Sequence, residues 1–347
     1  MNKKTQWVIR IVLIFGTILS MFFVPWVLLW AWIQPLPATV QEQVNEALDH
    51  QFDGIIVYVN QAGKPPEFYA AGWHDRKNQI PADAKALFKI ASIGKLYDAV
   101  AIAKLVHSKR LSLDKTLTEY FPELTGRIDN AEKITLRMMV QHRSGLPNYT
   151  DTPGFWVNPP KSSEETLALV LDLPANFEPG EKYQYSNTNY LLITQIIEQA
   201  TGNSKFEYIK ETVLNPLGLI NTYGSIHEVD TNELMSGYYV GVEEDIKTAD
   251  YGSMVATAED VGIFLRALND GSLFESGEQE IYSSIYGYDH TGLIPGYQSI
   301  AKFHPDLDAV VIQFVNTTNF DGYTWSLSEI VYNRIVKILR KENGSRE

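Results

Sequence analysis

The sequence predicts an α+β fold: an antiparallel sheet flanked by helices, a helical subdomain inserted at approximately residues 110–245, and one N-terminal transmembrane helix. Three observations carry this reading. Strand-like alternation occurs near both ends of the chain, helical periodicity fills the middle, and an uncharged apolar run stands at the front. With 347 residues, 45% of them apolar and 20% charged, the chain has material for one large core. No internal repeat or low-complexity linker divides it, so the organisation expected is an anchor at 1–34 and a single domain at 35–347.

The first element follows from charge and length. MNKKTQWVIR places Lys3, Lys4 and Arg10 ahead of IVLIFGTILSMFFVPWVLLWAWI, which carries no charge from Ile11 to Ile33. That run is long enough to cross a bilayer. The following QPLPATVQ offers no small-x-small cleavage site, which favours an uncleaved anchor over a cleaved signal or a buried core helix. Basic residues before the run, with Glu42 and Glu46 after it, leave the domain on the extracytoplasmic side, and set Trp26, Trp30 and Trp32 near the outer interface.

GIIVYVNQAGKPPEFYAAGW reads as strands Gly54–Asn60 and Phe68–Trp73 around a turn with Gly63 and Pro65, a hairpin at one end of the sheet. Phe88–Ala91 makes another short strand. Leu96, Ala99, Val100, Ala103 and Val106 then recur at helical spacing along one face. Short helices follow in TLRMMVQH, SSEETLALVLD, NYLLITQIIEQATG and KFEYIKETVLNPLGL, the third closed by Gly202. After the helix AEDVGIFLRALNDG, the segments HTGLIPGYQSIAKFHP and DAVVIQFVNT read as adjacent antiparallel strands turning at Asp306–Asp308. A last helix from about Trp325 to Leu339 lines Leu327, Ile330, Val331, Ile335 and Leu339 on one face.

Composition removes several classes of function. A net charge of -13, with Lys and Arg gathered nowhere, argues against a nucleic-acid partner and leaves a small-molecule or peptide substrate. With no cysteine there is no disulfide, lipoprotein anchor or thiol nucleophile. The seven histidines lack ligand spacing and no H-E-x-x-H occurs, so neither a metal nor another cofactor is expected.

The stretch FKIASIGKLYDAVAIAKL sets Ser92 at the mouth of a helix with Lys95 one turn on. A serine hydroxyl needs a base to become a nucleophile, and an amine on the same helix face supplies one when it is neutral. Backbone N–H groups at a helix N-terminus can hold a developing oxyanion. Alone, this pattern is also that of an N-cap with a solvated lysine. Ser112 with Lys115 and Ser299 with Lys302 repeat it, but the first lies in a polar connection and the second on a strand, where three positions is an odd step. FEPGEKYQYSNTNYLL adds Tyr185 and Asn187, a phenol for moving a proton and an amide for orienting a substrate. Tyr58 and Asn60 share that spacing within an apolar strand, where a structural role is expected. His290, Thr291 and Gly292 open a strand, the glycine admitting a close approach to the backbone and the hydroxyl able to bind a carboxylate or carbonyl.

In this order, Ser-x-x-Lys, Tyr-x-Asn and His-Thr-Gly resemble the serine β-lactamase and penicillin-binding-protein superfamily, in its class C β-lactamase-like branch with D,D-carboxypeptidases and esterases. GWHDRKNQIPADAKALFKIASIGK, MMVQHRSGLPNY, TGNSKFEYIKETVLNPLGL, MVATAEDVGIFLRAL and HTGLIPGYQS extend the likeness over roughly residues 50–318. The resemblance implies a sheet and a helical subdomain with the cleft between them. It implies Ser92 as acylated nucleophile, Lys95 as its base or helper, Tyr185 as proton carrier and Asn187 as contact to the substrate amide. His290 stands where β-lactamases more often have lysine, which tilts the reading away from an efficient β-lactamase. Thr291, Gly292 and Leu293 would bind substrate, and the backbone N–H groups of Ser92 and Leu293 would form the oxyanion hole. Two departures bear on substrate scope: Leu293 is bulky for its position, and the interval from Asp260 to His290 is short.

The function expected is a membrane-anchored serine hydrolase of a bacterial envelope, acting through an acyl-enzyme on a peptide or ester such as a D-alanyl group, or on a β-lactam. A penicillin-recognising sensor or scaffold with little turnover is the competing reading, separated from the first by whether Ser92 is regenerated after acylation. A purely structural role would require that the motif residues fail to converge in space. Were one protonation state of His290 required, activity would bend in the imidazole range.

Overall fold

The computed structural model describes residues 2–344. Its centre is a six-stranded antiparallel sheet built from both ends of the chain. Strands β1 (Gly54–Gln61), β2 (Glu67–Asp75) and β3 (Ile80–Pro81) come from the N-terminal side. Strands β4 (His290–Ile294), β5 (Tyr297–His304) and β6 (Ala309–Val315) come from the other. The order is β3-β2-β1-β6-β5-β4, and the halves join where β1 meets β6, with Ile55 opposite Val315 and Gln61 opposite Ala309. The hairpin expected near residue 54 therefore fills one half of the sheet. HTGLIPGYQSIAKFHP, expected as one strand, instead doubles back at Pro295–Gly296 into β4 and β5, because Gly296 takes φ +81° and turns the chain.

Both faces of the sheet are covered, so β1 is apolar at nearly every position and alternation sorts its side chains rather than exposing half of them. Ile55, Val57 and Val59 face a layer made by α3 (Val40–Glu46) and the C-terminal helix α8 (Thr324–Gly344), against Val44, Val331, Ile335 and Leu339. Ile56 and Tyr58 face the opposite core, with α4 (Gly94–His107) and α6 (Ala258–Asp270). Tyr58 is 1% exposed, which is the structural role expected of it. Thr257 caps α6 by accepting the N–H of Asp260, and Gly271 closes it in the left-handed conformation.

Helix α4 departs from the one-faced pattern expected. From Gly94 to Leu105 it is buried almost all round, and Val106 is only half-buried, because α4 runs between the sheet side and the helical region instead of lying on a surface. The strand expected at Phe88–Ala91 is shorter, Phe88–Lys89, and belongs to a small sheet with Val255–Ala256 and Thr222–Tyr223. Helices dominate from Leu117 to Leu217, among them α5 (Asn187–Thr201), after which short strands and loops carry the chain back. The short interval before His290 holds a helix, α7 (Glu278–Ile285), packed on α4.

At the front, the apolar run is not one continuous helix. α1 (Lys3–Met21) is long and apolar enough to cross a membrane and buries nothing. The chain then breaks over Phe22–Pro25, where proline cannot donate to the preceding turn, and α2 (Trp26–Ile33) begins. Ala31 of α2 is 2% exposed, packed with Leu28 on the layer of α3 and α8.

Candidate active site

Ser92 sits in a turn of 3-10 helix, Ala91–Ile93, that runs directly into α4. The turn starts from an unusual backbone: Ala91 has φ +51°, and its N–H donates to Ser253 Oγ at 2.9 Å. A non-glycine residue in this region is strained and is held there by its surroundings. The result is a hydroxyl at the head of a buried helix, aimed into the cleft between the sheet edge and the helical region.

Two expected residues bond to that hydroxyl, and a third holds one of them. Lys95 Nζ, one turn along α4, donates to Ser92 Oγ at 3.1 Å and to Asn187 Oδ1 at 3.0 Å. Tyr185 OH donates to Ser92 Oγ at 2.8 Å from the loop feeding α5. Ser112 and Lys115 lie elsewhere on the surface connection, and Ser299 Oγ is spent on the carbonyl of Ile90 at 3.0 Å. Context thus separates the three Ser-x-x-Lys patterns.

The supporting partners are residues that spacing did not single out. Asn148 Oδ1 accepts the backbone N–H of Asn187 at 2.9 Å and its side-chain amide at 3.3 Å, and Thr150 Oγ1 accepts that amide at 3.3 Å. These bonds fix which end of Asn187 faces Lys95. His142 stacks on Tyr185 with ring centroids 4.3 Å apart and accepts the N–H of Ser186 at 3.2 Å. Burial, with help from Lys95 and His290, pushes its pKa down to about 3, so the imidazole is neutral. Lys95 Nζ lies 5.2 Å from the ring centroids of both Tyr185 and Tyr190. His142 and Asn148 both fall in MMVQHRSGLPNY, a segment that carries the family likeness but no spacing that marks either residue.

Strand β4 is the sheet edge and forms the other wall. His290, Thr291, Leu293 and Ile294 line the same cleft as Ser92, Lys95, Tyr185 and Asn187, a space of about 430 Å³. His290 is stacked on Tyr286 and bonded through Nδ1 to the carbonyl of Thr291. A carbonyl only accepts, so Nδ1 carries the proton and the neutral ring keeps Nε2 free as an acceptor. Burial, then the charge of Lys95, lowers its pKa to about 4, well below the range expected for a free imidazole. Gly292 serves a closer contact than the substrate approach expected of it. A Cβ there would lie 2.5 Å from the carbonyl oxygen of Ile90, 2.4 Å from Ser299 Oγ and 2.9 Å from Ala91 Cβ, so the turn carrying Ser92 itself packs on the glycine. Leu293 is 37% exposed and its side chain projects at the cleft mouth.

The remaining wall is aromatic. Tyr149, Phe155, Trp156, Tyr251 and Phe320 line the cleft, with Trp156 edge-on to Tyr251 at 5.5 Å and to Phe320 at 5.8 Å. Lys95 is the single Lys or Arg among the described residues lining it. No group of three or more His, Asp or Glu placed to hold a metal occurs among the described residues.

A sheet joined from both chain ends, a helical region between, and a Ser–Lys–Tyr cluster in the cleft define the class of the β-lactamase and penicillin-binding-protein-like serine hydrolases. The chain belongs to the Beta-lactamase family, which matches residues 31–284 and thus stops just short of β4. It is 24% identical over 267 residues to Protein flp of Staphylococcus aureus (strain MW2), covering 73% of this chain and 52% of that protein. It is 28% identical over 179 residues to Penicillin-binding protein 4* of Bacillus subtilis (strain 168), covering 50% of this chain and 38% of that protein. The chain spans about half the length, or less, of the curated relatives it matches. Among solved structures, a D-amino acid amidase from Ochrobactrum anthropi SV3 aligns with a TM-score of 0.77 at 22% identity, over 88% of this chain and 98% of that one. A penicillin-binding protein from Bacillus halodurans aligns with a TM-score of 0.72 at 21% identity, over 85% and 99%. At these identities the likeness is one of fold.

Proposed function

We propose that the protein is a membrane-anchored serine hydrolase that transfers an acyl group from a peptide or ester to Ser92 and then to water. The observation that carries this is the pair of donors on one oxygen, Lys95 Nζ at 3.1 Å and Tyr185 OH at 2.8 Å from Ser92 Oγ. Both lie within reach for taking the hydroxyl proton as Oγ bonds to the carbonyl carbon, a step that requires one of the two in its deprotonated form, a neutral amine at Lys95 or a phenolate at Tyr185. The backbone N–H groups of Ser92 and Leu293 would hold the oxyanion, and Asn187 would orient the substrate amide. Collapse breaks the bond to the leaving nitrogen or oxygen, which takes the proton from Tyr185 or Lys95. Water, deprotonated by the same pair, then attacks the acyl carbonyl and returns Ser92.

A D-alanyl peptide of the cell envelope is the substrate class that the family and the anchor support, with a β-lactam as a slower mimic. The neutral His290 offers no full charge to a substrate carboxylate, which supports an ester, or an amide without a free terminal carboxylate, over efficient β-lactam hydrolysis. The basic residues at the start of α1 support an extracytoplasmic domain, and the named relatives are bacterial. The test is intact-mass spectrometry of the full chain after a fluorophosphonate and, separately, a penicillin, with Ser92→Ala as control. A Ser92-dependent adduct that decays on the assay timescale is expected. An adduct that persists would replace hydrolase by sensor, and no adduct with either probe would remove the acyl-enzyme altogether.

A further inference from the structure

Helix α2 has two faces with different fates. At about 100° per residue, Ala31 and Leu28 point to one side, and that side packs on the layer of α3 and α8. Trp26, Leu29, Trp30 and Ile33 point to the opposite side, where each is exposed, Trp30 by 65%. Its C-terminal end is fastened to the domain by Arg334 of α8, itself 5% exposed. Arg334 donates to the carbonyls of Gln34 and Pro35 at 2.7 Å each, and to Gln43 Oε1 of α3. A guanidinium so placed leaves the chain between α2 and α3 no slack.

Length says what covers the open face. Arg10 must keep its charge at the inner headgroups, so the apolar part of α1 runs from Ile11 to Met21. At 1.5 Å per residue that uncharged part is about 17 Å, so α1, although long enough as a whole, spans the roughly 30 Å of hydrocarbon alone only with Arg10 drawn inside it. The eight residues of α2 add about 12 Å and make up the difference. Tryptophans near the end of a span sit at the headgroup boundary.

We propose that α2 is at once the outer-leaflet half of the anchor and a fixed part of the catalytic domain. Phospholipid covers Trp26, Leu29, Trp30 and Ile33, while Ala31, Leu28 and Arg334 clamp the same helix to α8. The domain is thereby held against the outer surface of the bilayer in one orientation rather than swinging on a tether. This rests on the reading of the N-terminal segment as a membrane anchor.

The chain has no cysteine, so single nitroxide labels can be placed in the full-length protein in phosphatidylcholine nanodiscs. Labels at Val12→Cys, Trp30→Cys and the exposed loop position Lys77→Cys are compared by collision with oxygen and with a water-soluble nickel chelate. Expected is an oxygen-to-nickel ratio at Trp30 clearly above Lys77 and below Val12. A ratio at Trp30 equal to Lys77, with Val12 still lipid-like, overturns lipid contact by α2 and leaves the anchor standing. A Val12 ratio equal to Lys77 refutes the anchor itself. The clamp is read from the distance between labels at Trp30→Cys and Lys337→Cys on α8. A narrow distribution supports it and a broad one overturns it. Trp26→Cys replaces Trp30→Cys should the latter fail to fold.

Discussion

Gly292→Ala tests whether the contact between β4 and the Ser92 turn sets the reaction geometry. The new Cβ would start 2.5 Å from the carbonyl oxygen of Ile90, and ordinary contact begins at 3.4 Å. Ile90 is main chain one residue from the strained Ala91, so no flexible side chain can absorb the clash, and relief requires a separation of about 0.9 Å. That movement draws the N–H of Leu293 away from Ser92, and these are the two groups proposed to share one oxyanion. A misplacement near 1 Å can lower a rate by about a hundredfold, and loss of one oxyanion donor by about a hundred- to a thousandfold. Overpacking adds about 1–3 kcal/mol of destabilisation. The assay is the second-order rate of acylation by a fluorophosphonate, followed by intact mass, beside a thermal melt. Expected is a rate down by about two orders of magnitude in a protein that still melts cooperatively. Acylation at the native rate in a folded Gly292→Ala protein would refute the reasoning, since it would mean that neither the turn nor Leu293 depends on that contact.

Other outcomes follow from the same geometry. Lys95→Ala should lower acylation by about a hundred- to ten-thousandfold while the melt moves little, because the half-buried amine leaves behind mainly bonds to Ser92 and Asn187. Severe unfolding instead would make Lys95 a structural partner. Tyr185→Phe keeps the stack on His142 but removes the donor at 2.8 Å, so acylation should fall by about a hundredfold or more with fold intact, measured with the same probe. With His290 titrating at about 4, acylation should show no His290 bend between pH 8 and 5 and decline toward pH 4. A bend near 6.5 lost in His290→Asn would show the ring to be solvated. The linkage sign agrees: both His290 and His142 have folded pKa values below the unfolded 6.5, so their contribution to stability is present above pH 6.5 and is lost as pH falls toward 4 and 3, readable in melts against pH. Lys89→Met touches none of the reacting groups but frees the loop carrying Tyr251. It should lower kcat/KM by about tenfold, mainly through KM, and a loss confined to kcat would contradict a role in shaping the cleft wall.

What the sequence revealed and what it hid divide along a physical line. Ser92, Lys95, Tyr185 and Asn187 were legible because each pair is local, one helical turn or one loop step apart, and such spacing survives in a linear text. The hairpin at Gly54 and the pairing of β5 with β6 were legible for the same reason, through period-two alternation and turn residues. The failures are contacts whose partners lie far apart in sequence. The periodicity of α4 records its apolar positions but not how many layers surround it. The break over Phe22–Pro25 is an exception, a local feature that hydropathy hides because an apolar average does not register a missing backbone donor.

The same division explains how Ser92 is held. Nothing in FKIASIGK requires Ala91 to adopt φ +51°; that conformation is imposed from a distance. Ser253 accepts the N–H of Ala91 at 2.9 Å, and Gly292 lets β4 close on Ile90 from the other side. The loop holding Ser253 is in turn tied down by Lys89, a fully buried amine that donates to the carbonyl of Ala249 at 2.7 Å and lies over Tyr297 at 4.9 Å. Burial lowers its pKa to about 8. A buried amine with a carbonyl and two ring faces for company is costly, and the segment it secures is the one that presents both Tyr251 to the cleft and Ser253 to the Ser92 turn. The local motif supplies the reacting groups, and the long-range contacts of Ser253 and Gly292 decide where the nucleophile stands, so substitutions at these two should alter rate without removing any group that exchanges a proton, while those at Lys89 act first on the cleft wall.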